Sequence, residues 1–439
     1  MRLNLMTKMF IAGVLALVVG PLCVSAQALT IEITEGQETG MPIAVVPFQF
    51  QGHQRPSEDI RQIVSANLYR SGRFLSLPPD NFLRHPSSHD QVRFRDWRLI
   101  KAEALVIGRV KQVNDGYEVS FRLYDVYKQK QLAGYIFTVG SGSREIRQIA
   151  HRISDYIYEA LTGVPGVFDT QIAYVTTEGS GNNKLYQLKV AQSDGHHDQT
   201  VLQTSYPVLS PAWAPDGKHL AYVSFGDDKR GATIWLQNLY CQNCKREKLL
   251  EERVSSPAWS PDGRRLAVTL YRNGNSDIYI IEISTRRLRR LTKHPGIDTE
   301  ASWSPNGRHL VFTSNRSGRP QIYRISAAGG RAERLTKVGR ENLNASYSPD
   351  GKQLVMVTKQ GNKYQIGVFY VDSRELEILT DPSAVESPTF SPNGAMIMFA
   401  TQKGGKGVLV AVSADGERQN ILRVHQGEVR EPAWSSRKQ

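Results

Sequence analysis

The sequence predicts a small α/β domain followed by a six-bladed β-propeller, the sixth blade closed by strands from both ends of the repeat region. Three observations predict it. A phrase built around an aromatic residue returns about every 44 residues from Pro211 to the C-terminus. Each return carries strand and turn signals but no helix cap. The residues before the first return show no repeat and mix strand patterns with helix patterns.

The repeat reads PAWAPDGKHLAYVS, PAWSPDGRRLAVTL, ASWSPNGRHLVFTS, ASYSPDGKQLVMVT and PTFSPNGAMIMFAT, with Trp213, Trp259, Trp303, Tyr347 and Phe390 as landmarks and Trp434 as a sixth. The landmark spacings are 46, 44, 44, 43 and 44. SPDG and SPNG are turn sequences: proline presets φ for a type I turn, and Gly217, Gly263, Gly307, Gly351 or Gly394 takes the left-handed position. The strand after each turn is apolar on both faces, as in Leu310, Val311 and Phe312. That suits a sheet packed between two other sheets. Four short strands per unit make a propeller blade. Five units are complete. The stretches 171–177, 184–190 and 199–205 read as strands two to four of a unit lacking its first, and 431–436 reads as the missing first strand. Joining them leaves no open edge around the ring.

Residues 41–162 form the predicted α/β domain. PIAVVPFQF (42–50) is a buried strand, and Ser57 is the expected cap of a helix carrying Ile60, Ile63, Val64 and Leu68. A second helix is expected over 95–104. Three antiparallel strands follow, with Asn114-Asp115-Gly116 as a hairpin turn. A last helix over about 144–161 aligns Ile146, Ile149, Ile153, Ile157 and Leu161, and Gly163 stops it. Residues 163–170 are the expected hinge and 171–439 the propeller.

The N-terminus reads as a cleavable export signal spanning residues 1–28. Basic Arg2 and Lys8 precede an apolar run from Met9 to Val24, and a small-x-small site ends at Ala28. Sixteen residues are short for a spanning helix, which needs about 20. The expected location is therefore an exported, oxidising compartment, peripheral to the membrane. Residues 29–40, LTIEITEGQETG, alternate Ile31 and Ile33 with Glu32 and are acidic in a basic protein. The segment has two readings: a first edge strand, or an arm that adds a strand to a partner.

Composition narrows the function. The 439-residue chain has 55 Lys plus Arg against 42 Asp plus Glu, a net charge of +13 that falls to +11 once Arg2 and Lys8 leave with the signal. The basic residues are scattered, not interleaved with aromatics in one segment, so no nucleic-acid footprint results. Of three cysteines, Cys23 lies in the signal. Cys241 and Cys244 form C-x-x-C at a hairpin tip, read as a local disulfide or two free thiols; zinc would need a second pair. There is no G-x-S-x-G, no H-E-x-x-H and no Walker loop. GGKG (404–407) reads as a blade tip, and His196 and His197 as solvated turn residues. The expectation is a monomer without cofactor or metal, carrying none of these catalytic motifs. The alternative is a propeller hydrolase or lactonase, which requires converging carboxylates or a metal in the channel.

The signal, the small α/β domain and six W-S-P-D-G blades with a split sixth resemble the TolB family, periplasmic propellers of the Tol–Pal envelope system. MPIAVVPFQF (41–50), TSNRSGRPQIYRIS (313–326) and the terminal PAWSS carry the resemblance most specifically. It covers the whole mature chain. It implies a binding role in outer-membrane integrity and cell division. Pal, the peptidoglycan-associated lipoprotein, would dock at the propeller mouth, and TolA of the inner-membrane motor would take the N-terminal arm. Other outer-membrane or peptidoglycan-associated proteins would be further partners. The implied arm residues are Leu29, Thr30, Ile31, Glu32, Ile33, Thr34 and Glu35. The implied mouth residues, expected in loops entering each first strand, are Ser210, Arg253, Ser255, Ser256, Thr299, Glu300, Asn344, Glu386, Ser387, Arg430 and Glu431. Several relatives carry histidine where this chain has Arg253.

Overall fold

The computed structural model describes residues 40–225, 231–241, 244–381, 383–422 and 427–437. The export signal and the segment 29–39 lie outside them. Among the described residues no helix is long and apolar enough to cross a membrane.

The N-terminal domain is one mixed sheet with its two long helices on one face. Its strands are β1 (Met41–Val45), β2 (Gln49–Gln51), β3 (Phe74–Ser76), β4 (Ala104–Val113), β5 (Gly116–Asp125) and β6 (Lys130–Gly140), in the order β3-β1-β4-β5-β6 with β2 beside β4. The first three pair in parallel and β4-β5-β6 antiparallel. The single strand expected over 42–50 is two, because Pro47 has no N–H to give the ladder. Helices α1 (Ile60–Arg70) and α3 (Ser143–Thr162) press Ile63, Val64, Leu68, Ile146, Ile149 and Ile153 onto Val106, Val119 and Phe121. The cap of α1 is Asp59, not Ser57: its Oδ1 accepts from the Gln62 amide at 3.3 Å. Gly163 ends α3 in the left-handed conformation, φ 72°. The shorter α2 (Phe94–Leu99) seats Trp97 against Phe82 on the opposite face, where Ala44, Leu105 and Tyr124 form a second, smaller core.

The rest of the chain is six four-stranded antiparallel sheets. The first strands of blades one to five are Val208–Trp213, Val254–Trp259, Asp298–Trp303, Glu341–Tyr347 and Val385–Phe390. In blade six the C-terminal strand Glu428–Trp434 pairs with Gln171–Glu178, ahead of Leu185–Gln192 and Gln199–Thr204. The split blade is as expected. Each second strand is buried on both faces, so apolar clusters run from blade to blade instead of forming one central core.

The S-P-D-G turn holds itself. In blade two the Ser260 hydroxyl accepts from the Arg265 amide at 3.0 Å, Asp262 Oδ1 accepts from the Arg264 amide at 3.1 Å, and Gly263 has φ 68°. The tryptophans then stitch the blades. Trp213, Trp259 and Trp303 donate their indole N–H to Ala433, Ala212 and Ala258 carbonyls of the preceding blade, at 3.3, 3.1 and 3.0 Å. Trp303→Phe keeps an aromatic ring, removes this donor, and gives up part of the buried indole and of the Arg265 stacking 4.7 Å above it. We expect a loss of about 1–2 kcal/mol in urea denaturation; a change below about 0.5 kcal/mol would mean that the indole bond contributes nothing.

Candidate functional site

Every first strand carries one extra residue. The register to the second strand slips between Leu209 and Ala212, Ser255 and Ala258, Thr299 and Ser302, Leu343 and Ser346, Glu386 and Thr389, and Arg430 and Ala433. At each slip a non-glycine residue stands in the left-handed region: Ser210, Ser256, Glu300, Asn344, Ser387 and Glu431, with φ between 49° and 55°. Such a position costs on the order of 1 kcal/mol, and six in one ring make it a designed feature.

Arg253 lies in the loop just before its first strand, as expected, but the other mouth residues do not lie in loops. They sit inside the first strands, and at each bulge one residue turns toward the axis. The six bulge residues ring a central channel of about 250 Å³. Turned out of the ladder, the amides of Ser210, Glu300 and Asn344 bond across blade seams. Glu431 Oε2 accepts from the Ser210 amide in a short bond, and Glu300 Oε2 accepts from the Asn344 amide at 3.0 Å. Thr269 Oγ1 accepts from the Glu300 amide at 3.3 Å, and Thr313 Oγ1 from the Asn344 amide at 3.0 Å. Ser255 pairs with Thr269, whose hydroxyl also reaches Thr299 Oγ1 at 3.3 Å.

Charge at the mouth is graded. Burial pushes the Glu431 carboxyl up to about 7 against the Ser210 amide bond, and nearby Glu386 adds to the rise. Burial also raises Glu386, which lines a cleft of about 260 Å³ between blades five and six beside Arg430 and Tyr364. Arg253 and Arg430 are exposed: the first lies 5.4 Å above the Tyr271 ring, the second 3.6 Å from Glu428. Among the described residues no group of three or more His, Cys, Asp or Glu side chains is placed to hold a metal. The C-x-x-C is a disulfide, Cys241–Cys244, on blade one.

The α/β domain packs on the other end of the ring. Asn393, in the turn leaving the first strand of blade five, donates to the Pro165 carbonyl at 2.9 Å, and Arg418 reaches the Phe74 carbonyl at 3.3 Å. The mouth thus faces away from this domain. The largest polar cluster between the two was missed in sequence. Arg147 on α3 bonds Asp194 of blade six at 2.7 Å and Glu58 at 3.0 Å. His151, one helical turn on, lies 3.4 Å from Asp194 and takes a bond from Asn67 Nδ2 at 2.9 Å. His196 and His197 are not solvated turn residues: they reach Arg147 at 3.1 Å and Ser143 at 3.3 Å. Burial lowers His151 to about 4, so it is neutral. Burial alone would raise Asp194, but His151, His196 and Arg147 hold its carboxyl well below the usual range. The sequence signal was Arg147 and His151 at i, i+4, interrupting an apolar helix face.

The arm residues Leu29, Thr30, Ile31, Glu32, Ile33, Thr34 and Glu35 fall outside the described residues.

Comparison with known proteins agrees with this architecture. A family model described as the TolB amino-terminal domain matches residues 29–132, and one described as the TolB beta propeller domain matches 158–438. The chain is 47% identical over 411 residues to the Tol-Pal system protein TolB of Nitrosococcus oceani, covering 93% of each. It is 46% identical to that of Alcanivorax borkumensis, covering 96% of each. The crystal structure of TolB from Acinetobacter baumannii superposes with a TM-score of 0.83 at 38% identity, over 93% of this chain and all of the other.

Proposed function

The chain belongs to the TolB family, non-enzymatic proteins of the Tol-Pal envelope system, and on that footing we propose that it links two partners. The propeller mouth receives Pal, and the N-terminal arm, residues 29–40, engages TolA. The link serves outer-membrane integrity and envelope constriction at division. In this reading residues 1–28 direct export to the periplasm and are removed, 41–162 are the α/β domain, 163–170 the hinge and 171–439 the propeller.

One observation carries the mouth reading. Six bulged first strands present a rigid, seam-bonded polar ring on the face left open by the α/β domain. A preformed surface of that kind binds without paying for loop ordering. Arg253, Arg430 and Glu386 at its rim give it charge to select a partner.

The test is calorimetric titration of the mature protein against Pal and against TolA. Glu300 holds the Asn344 amide, so a substitution there confounds binding with folding; exposed Arg253 and Arg430 are cleaner. Arg253→Glu with Arg430→Glu is expected to weaken Pal binding at least 10-fold and leave TolA unchanged. Deletion of 29–40 is expected to abolish TolA binding and leave the thermal midpoint unchanged. Unchanged Pal titration would move that site off the mouth, and unchanged TolA titration would end the arm assignment.

A further inference from the structure

Strand β6 is an open edge. It spans 11 residues, Lys130–Gly140, and among the described residues pairs only with β5. From Leu132 to Gly140 it holds no charge and no proline, and Leu132, Tyr135 and Ile136 are exposed. Long, uncharged edges are ordinarily blunted by lysine, proline or a covering element. None of these lies along this stretch among the described residues, so the edge is kept available for pairing.

Its two faces differ. On the helix side Tyr135 stacks on Tyr156 of α3 at 4.2 Å, and Phe137 lies beneath Arg152 at 5.6 Å. A strand laid along β6 would set alternate side chains on this aromatic ladder. On the other side the register places Gly134 beside Arg122 and Ile107, Ile136 beside Ser120 and Arg109, and Thr138 beside Glu118 and Lys111. These rows floor a groove of about 730 Å³ walled by Ser87 and Ser88. Arg122, Arg109 and Lys111 outnumber Glu118 and the nearby Asp90, which acts on Arg109 from the wall, so the floor stays basic. Gly134 leaves Arg122 within reach of the edge: a Cβ there would come 3.4 Å from Arg122 Cγ.

We propose that the β6 edge is a docking site for an extended segment of a partner protein in which apolar and acidic side chains alternate. Backbone pairing supplies affinity, the aromatic ladder takes the apolar residues, and Arg122, Arg109 and Lys111 take the carboxylates. A second copy of this chain does not fit. Antiparallel β6–β6 pairing keeps like faces together and sets one basic floor beside the other.

The mature protein is titrated with two capped ten-residue peptides, five valine–glutamate repeats and five valine–lysine repeats, and amide exchange is followed over Leu132–Val139. We expect the glutamate peptide to bind at least 10-fold more tightly and to slow exchange in β6. Arg122→Glu with Lys111→Glu, both exposed positions, should reverse the preference while the thermal midpoint holds. Equal affinity for the two peptides, binding without protection of β6, or a preference unmoved by the double substitution each overturns the proposal. So does sedimentation showing that the protein dimerises through β6.

Discussion

Arg147→Ala is expected to be the most damaging single substitution away from the apolar cores, costing about 3–5 kcal/mol. Asp194 is 8% exposed and its carboxylate has Arg147 as its closest cation, with Nη2 at 2.7 Å and Nε at 2.9 Å. Removing the guanidinium leaves a buried charge without its counter-ion, the case in which a buried pair is strongly felt. It also frees Glu58 and His196 at the same seam. Replacing both partners, Arg147→Leu with Asp194→Leu, should cost less than Arg147→Ala alone, because no bare charge remains. Urea denaturation of the three variants decides this; a single-variant cost below 1 kcal/mol would mean that water already reaches Asp194.

The same cluster has a pH signature. His151 titrates near 4 in the folded state against an ordinary 6.5. Between those values the unfolded chain takes up a proton that the native chain refuses. Stability from this group is therefore present above pH 6.5 and lost as the pH falls toward 4, by up to about 3 kcal/mol. Asp155, raised to about 7 by burial, works in the opposite sense, its contribution present at low pH and lost as the pH rises through 7. In Arg147→Ala the His151 shift should shrink, since Arg147 is one of the groups that lowers it. The variant's deficit should then narrow on the acid side, where imidazolium replaces guanidinium beside Asp194.

Ending the chain at residue 427 is expected to abolish the folded propeller. The lost strand supplies Val429 and Trp434, both buried, the Trp434 indole bond to Thr170 at 2.8 Å and two Ser435 bonds to Gln171. Its removal uncovers Ile172 and Tyr174 along the edge it paired with. Losing a single buried tryptophan costs about 3–5 kcal/mol, and a whole inner strand reaches the scale of total stability. The truncated chain should elute as aggregate, and a synthetic peptide of residues 428–439 added during refolding should recover monomer. A monomeric truncated protein melting within a few degrees of the full chain would show that the sixth blade stands without it.

The repeat was legible because each blade solves the same problem with the same residues. A proline, a turn glycine and an aromatic return at fixed spacing, and the split blade follows by counting strands. What stayed hidden lacks a period or depends on contacts distant in sequence. Ser210 and Glu431 look like loop residues, because a bulge is written in pairing register and not in composition. Ser57 and Asp59 are both good caps, and only the helix's true start at Ile60 chooses between them. His196 and His197 sit in a polar stretch, and their partners on α3 lie some 50 positions away in the chain. The edge of β6 is visible as an uncharged run, but that no strand among the described residues covers it is a fact of topology alone.

The indole stitches divide the ring unequally. The seams between blades six and one, one and two, and two and three each carry a tryptophan bond. At the next two seams Tyr347 and Phe390 take the landmark position, and Trp434 turns to Thr170 instead of blade five. One semicircle is braced by indole bonds and the other is not. Contacts to the α/β domain and its hinge through Asn393, Arg418 and Asp194 all fall on blades five and six, as does the cleft holding Glu386. A pull transmitted through the α/β domain thus enters the ring on the side that lacks indole bonds.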